Sequence, residues 1–82
     1  MTEKEDIKDG LVEEFYENGQ LYSRGNVKDG IPHGLQETYY ENGQLGRRGN
    51  YKNGKKEGLW ETFDEDGNLT KSTEWKDGVL QE

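Results

Sequence analysis

The sequence predicts an all-β protein: a single elongated, curled antiparallel β-meander of three 24-residue hairpin repeats. Three observations carry that prediction. A shift of 24 residues superposes Gly10-Leu11 on Gly34-Leu35 and Gly58-Leu59, and Glu17-Asn18-Gly19 on Glu41-Asn42-Gly43 and Glu65-Asp66-Gly67. The same shift aligns Leu21, Leu45 and Leu69, and then Lys28-Asp29-Gly30, Lys52-Asn53-Gly54 and Lys76-Asp77-Gly78. Each period therefore holds two Asn/Asp-Gly turn signals separated by short runs rich in aromatic, Leu and Val residues, which is the signature of a hairpin. Helix is disfavoured, because the chain has 12 Gly and no Ala, and an interior glycine costs about 1 kcal/mol.

The repeat decides a question that composition leaves open. With 18 acidic and 11 basic residues, a net charge of −7 and 27% hydrophobic residues, composition alone points toward disorder. Apolar and glycine positions held in phase argue instead for ordered units that stack on their neighbours. The predicted divisions are an N-terminal segment with a partial repeat at 1–9, then units 10–33, 34–57 and 58–82 of one domain.

Six strands follow in order, at about 11–16, 20–27, 35–40, 44–51, 59–64 and 68–75, with a possible seventh at Val79-Leu80. Residues 1–6 are expected to be loose, and Pro32 falls in the link between units one and two. A three-residue loop closed by a left-handed glycine pairs Tyr16 with Gln20 and keeps Leu11, Phe15, Leu21 and Val27 on one face. Applying that loop at every turn preserves parity. The expected core face is then odd-numbered: Ile7, Leu11, Phe15, Leu21, Val27, Ile31, Leu35, Tyr39, Leu45, Tyr51, Leu59, Phe63, Leu69, Trp75 and Val79. Gly25 and Gly49 fall inside strands, where a close approach by a neighbouring aromatic ring or a bend in the sheet is expected. The apolar face needs cover, from curling of the sheet or from a homodimer.

The motifs Gly58-Leu59-Trp60-Glu61-Thr62-Phe63, Glu65-Asp66-Gly67-Asn68-Leu69 and Trp75-Lys76-Asp77-Gly78 resemble the bacterial MORN-repeat variant. So do Tyr39-Tyr40-Glu41-Asn42-Gly43-Gln44-Leu45 and Tyr51-Lys52-Asn53-Gly54. The resemblance covers about residues 10–81. It implies an elongated hairpin meander and a binding role without catalysis, often as the antitoxin of a toxin–antitoxin pair. Unit three departs from the pattern at Ser72-Thr73, where the earlier units have Arg-Gly.

No catalytic constellation is visible. His33 is the only histidine and there is no cysteine, which excludes a Cys-based zinc site and a His pair. Asp64-Glu65-Asp66-Gly67 lacks the alternating ligands of a calcium loop. No enzyme activity, metal or cofactor is expected.

Glu13, Glu37 and Glu61 lie among apolar residues, and the assumed register sets them opposite Ser23, Arg47 and Lys71. They read as cross-strand charge pairs first and as an acidic binding row second. Tyr16, Tyr40 and Trp60 fall on the even, solvent-facing side as a candidate binding row. A pI near 4.7 and three Arg argue against nucleic acid and anionic membranes, leaving phospholipid a weak reading. The expected partner is a basic protein, bound in an antitoxin-like or inhibitor-like manner. The alternative is self-assembly through the apolar face or edge strands, a homodimer included. The charged start Met1–Asp6 carries no apolar leader, so a cytoplasmic location is expected.

Overall fold

The structure, a computed structural model, describes residues 9–82; Ile7 and the expected loose segment 1–6 lie outside them. Seven antiparallel strands form one sheet in sequence order: β1 Gly10–Phe15, β2 Leu21–Lys28, β3 Ile31–Tyr39, β4 Leu45–Lys52, β5 Lys55–Phe63, β6 Leu69–Lys76 and β7 Val79–Gln81. The Cα envelope measures 47 × 31 × 12 Å, with a radius of gyration of 13.9 Å, against about 11–12 Å for a compact chain of this length. Among the described residues the layer is open, and β1 and β7 are its two edges.

Two turn chemistries alternate. At Glu17-Asn18-Gly19 the amide of Tyr16 donates to the Gln20 carbonyl at 2.9 Å, the Gly19 amide donates to the Tyr16 carbonyl at 3.0 Å, and Gly19 takes φ 89°. This is the expected three-residue loop, and the same bonds recur at Tyr40 and Asp64. The other turns differ from expectation. Asp29-Gly30, Asn53-Gly54 and Asp77-Gly78 all have positive φ at both residues, and Lys28 pairs directly with Ile31, Lys52 with Lys55 and Lys76 with Val79. They are two-residue type I′ turns. Asp and Asn tolerate the left-handed region, and this turn's twist matches that of the flanking strands. One consequence is that Pro32 and His33 lie within β3 rather than in a loop.

A two-residue turn joins odd to even positions and flips parity. A repeat of 24, an even number, returns the same residues to the same face only if a second flip occurs in each unit. A β-bulge supplies it. Glu14 pairs with Ser23 but Phe15 with Leu21, leaving Tyr22 as the extra residue. Gly46 and Thr70 are extra in the same way in the next two hairpins.

The odd-numbered core face is therefore incorrect. One face carries the even positions of β1, β3 and β5 with the odd positions of β2, β4 and β6 beyond the bulge: Val12, Val27, Gln36, Tyr51, Trp60 and Trp75 among them. The opposite face carries Leu11, Leu35 and Leu59 with Phe15, Leu21, Tyr39, Leu45, Phe63 and Leu69. The first, the aromatic face, is the better covered. Trp60, expected to face solvent, is 7% exposed and is the one buried large side chain among the described residues. Leu11, Phe15, Ile31, Leu35, Leu59, Leu69 and Val79, all expected in the core, are exposed.

Strand glycines make this burial possible in a single layer. The Trp60 ring lies over Gly49, where a Cβ would overlap the indole, and the Gln36 side chain lies over Gly25. The indole Nε1 donates to the Asn50 carbonyl at 3.0 Å, and Tyr51 meets the ring edge-on at 5.2 Å. The Lys56 ammonium sits 4.9 Å from the Trp60 ring and 4.4 Å from the Trp75 ring, adding cation–π attraction on both sides. Units are also stitched by tyrosine hydroxyls, Tyr16 to the Tyr39 carbonyl at 2.7 Å and Tyr40 to the Phe63 carbonyl at 2.6 Å.

Two predictions follow from this packing. Gly49→Ala forces the rigid indole aside and should cost about 1–3 kcal/mol, more than Gly25→Ala, where the flexible Gln36 moves instead; urea denaturation midpoints of the two variants compare them. Asp64 replaces the stitching tyrosine in unit three, and backbone amides of Asn68 and then Asp66 hold its carboxyl below the ordinary 3.8. A depressed folded pKa means stabilisation that is complete above 3.8 and lost as pH falls below it. The stability gap between wild type and Asp64→Ala should thus be constant from pH 7 to 5 and narrow below about pH 4. A gap unchanged at pH 2.5 would contradict this role.

Candidate functional site

The residues singled out by sequence separate onto the two faces. Glu13, Glu37 and Glu61 lie on the leucine face, but their partners are not those expected. The bulge sets Glu13 opposite Arg24, Glu37 opposite Arg24 and Arg48, and Glu61 opposite Arg48 and Ser72. The result is one cross-strand row, Glu13–Arg24–Glu37–Arg48–Glu61–Ser72. Arg48 Nη2 reaches Glu61 Oε1 at 2.8 Å, and Arg24 Nε lies 3.8 Å from Glu13 Oε2. Glu37 Oε1 accepts the Tyr39 hydroxyl at 3.1 Å; burial and then this bond hold the Tyr39 pKa above its ordinary 10.0. Along the row the carboxylates alternate with arginines, Glu13 and Glu61 in ion pairs and Glu37 bonded to the Tyr39 hydroxyl. Exposed pairs of this kind contribute about 0.2–1 kcal/mol each.

Beside the charge row runs an apolar one, expected in the core: Phe15, Leu21, Tyr39, Leu45, Phe63 and Leu69. It flanks the three-residue turns directly. Its inner members Leu21, Tyr39, Leu45 and Phe63 are half-buried, with the Arg48 guanidinium 5.8 Å from the Phe63 ring, while the end residues Phe15 and Leu69 are 59% and 52% exposed. The turns along its border carry Glu17, Glu41, Asp64, Glu65 and Asp66 and not one Lys or Arg. The opposite rim is mixed, with Lys28, Lys52, Lys55 and Lys76 against Asp9, Asp29, Glu57 and Asp77. The excess negative charge thus gathers at one end of the strands, next to exposed apolar surface. The signal was present in the sequence as lysines confined to one of the two turn types.

On the aromatic face, Tyr16, Tyr40 and Trp60 do not form one row. Tyr16 and Tyr40 are repeat equivalents near the acidic turns, and the third equivalent is Asp64. Trp60 aligns with Val12 and Gln36, further along the strands. Tyr16 is half-buried, and burial followed by the nearby Glu41 keeps its hydroxyl pKa above 10.0. Ser23 donates to Glu14 Oε1 at 3.5 Å, whereas Arg47 and Lys71 have no carboxylate within 4 Å among the described residues. His33 Nδ1 accepts the Asn53 amide at 3.3 Å, the place that Asp9 and Glu57 fill in the other units. Its role is to hold a turn.

Among the described residues no group of three or more His, Cys, Asp or Glu is placed to hold a metal, and no helix is long and apolar enough to cross a membrane. No curated protein and no solved structure matches the chain significantly. Residues 8–29, 32–53 and 56–77 each match the MORN repeat variant, and together they cover well over half of the sequence. Each matched segment spans a strand, a three-residue turn, the bulge and the return strand. The chain belongs to the MORN-repeat variant family, whose repeats serve as interaction modules.

Proposed function

We propose that this chain is a non-catalytic module that docks a basic protein through its leucine face and neutralises it, as an antitoxin or inhibitor does. The observation that carries the reading is the pairing of the exposed row from Phe15 to Leu69 with the acidic turn rim. Exposed apolar surface with a polar border marks a docking site. A rim of five carboxylates without a counter-cation favours a partner whose own apolar patch is edged by Lys and Arg. Rim charges steer the encounter, and buried apolar anchors slow dissociation. The Glu13–Glu61 row adds little attraction, because Glu13 and Glu61 pair with Arg24 and Arg48 and Glu37 accepts the Tyr39 hydroxyl within the sheet.

Phe15 and Leu69 are exposed, so replacing both with Ser should leave the fold intact by circular dichroism. Loss of two anchors, each worth over about 1 kcal/mol, should weaken partner binding more than tenfold. Tagged wild type and the Phe15→Ser/Leu69→Ser variant, compared by capture from the native cell and mass spectrometry, test this. A basic protein held by wild type, lost by the variant and released by salt is the expected result. An acidic partner, or equal capture by both forms, overturns the reading. A wild-type mass that doubles with concentration, with no partner captured, favours self-assembly through the same face instead.

A further inference from the structure

The aromatic face, which plays no part in that docking, holds a feature that stands on a comparison between the repeats. In unit one the bulge residue is Tyr22, whose ring meets Tyr16 edge-on at 5.1 Å and 66°. In unit two the bulge residue is Gly46, so Tyr40 has no ring partner. A hollow of about 480 Å³ lies here, lined by Tyr22, Tyr40, Gly46, Arg47, Thr62 and Lys71 among others. The backbone does not require glycine at this point: its φ is outside the left-handed range, and Tyr22 and Thr70 occupy the same bulge position in the other units. The Tyr40 ring lies against this glycine, 3.3 Å from where a Cβ would stand, and the hollow opens beside that ring where unit one carries the Tyr22 ring.

The same bulge explains the two cations. It turns Arg24 and Arg48 into the row with the glutamates and sends Arg47 and Lys71 to the aromatic face. Both pair across Thr62, Arg47 from one side and Lys71 from the other, so their backbones are about 9.5 Å apart, two strand spacings. Both side chains line the same hollow as Thr62. In a chain of net charge −7, these two cations have no acidic partner within 4 Å among the described residues. A guanidinium and an ammonium together suit a doubly charged oxyanion, and the open ring position beside Tyr40 suits an aromatic group.

The geometry points to a binding site for an aryl phosphate, its ring in the hollow between Tyr22 and Tyr40 and its phosphate held by Arg47 and Lys71. Titration of the ¹⁵N-labelled chain with phenyl phosphate, inorganic phosphate and phenol tests the assignment. Amide shifts at Gly46, Arg47 and Lys71 should saturate with phenyl phosphate at least about tenfold more tightly than with either fragment. Gly46→Tyr, which rebuilds the unit-one ring pair, should abolish binding, and Arg47→Gln/Lys71→Gln should weaken it about tenfold or more. The double variant carries the test if Gly46→Tyr fails to fold. A short phosphotyrosyl peptide that binds more tightly than phenyl phosphate places the group on a protein, and equal affinity places it on a free small molecule. Equal affinity for inorganic and phenyl phosphate overturns the ring site. No saturation by about 10 mM phenyl phosphate, or undiminished binding by the double variant, overturns the site as a whole. Neither substitution touches the leucine face, so capture of a basic partner through Phe15 and Leu69 is read separately.

Discussion

The extra residue that each hairpin carries, at Tyr22, Gly46 and Thr70, decides which side chains share a face. A β-strand alternates strictly, so a one-residue slip exchanges the two faces completely. The type I′ turns impose one such exchange per unit. Without a second, Leu11 and Leu35 would lie on opposite faces and the 24-residue repeat would have no structural meaning. The bulge restores equivalence, and it aligns Arg24 and Arg48 with the glutamates. It also leaves Gly25 and Gly49 beneath Gln36 and Trp60. Charge pairing, burial and the form of both surfaces follow from this single insertion.

Among the described residues the sheet has no second layer to cover it, and the chain answers by burying side chains against backbone. Trp60 is covered by a neighbouring strand's glycine below, by Tyr51 at its edge and by the Lys56 stem and ammonium. Such an arrangement needs few aliphatic residues, which reconciles an ordered fold with a disorder-like composition. The devices are not uniform along the array. Thr73 stands where units one and two have their docking glycines, and Asp64 stands where they have a tyrosine hydroxyl reaching the next unit. Unit three closes its turn with a carboxylate accepting three donors from Asp66 and Asn68 and offers no slot of the kind that receives Trp60.

Turns and strands were legible in the sequence because their chemistry is local. Asn18-Gly19 and Asp29-Gly30 announce reversals, and the runs between them are too short and too rich in glycine for helix. A close approach at Gly49 was legible for the same reason, since a strand glycine has few other uses, but the ring that fills it, Trp60, was not. The faces were not legible. A bulge position carries no fixed residue type, as Tyr, Gly and Thr show, and both turn types contain the same Asn/Asp-Gly pair. Their difference lies in whether the Asp29 or Asn18 position takes a left-handed conformation, which either residue allows. One undetected exchange of parity was enough to send Leu11, Phe15 and Leu69 to the core on paper and Trp60 to the solvent. It also paired Glu37 and Glu61 with Arg47 and Lys71, the neighbours of the residues they meet.

The two faces divide the chain's charge unequally, and that division constrains what each can bind. On the leucine face the Glu–Arg row nearly neutralises itself, so its field comes from the turn rim at one end. A ligand there feels attraction directed along the strands, and the apolar row beside the rim supplies the contact area. On the aromatic face Arg47, Lys71 and Lys56 outnumber Glu14, so that face is locally cationic within an acidic protein. A single layer 12 Å thick across its Cα atoms separates the faces by little more than one Debye length at physiological salt. Long-range fields therefore partly overlap, and selectivity between ligands of opposite charge rests on short-range pairing. The positions of Arg24 and Arg48, satisfied within the sheet, and of Arg47 and Lys71, left free on its other side, provide that pairing, and the bulge separates them.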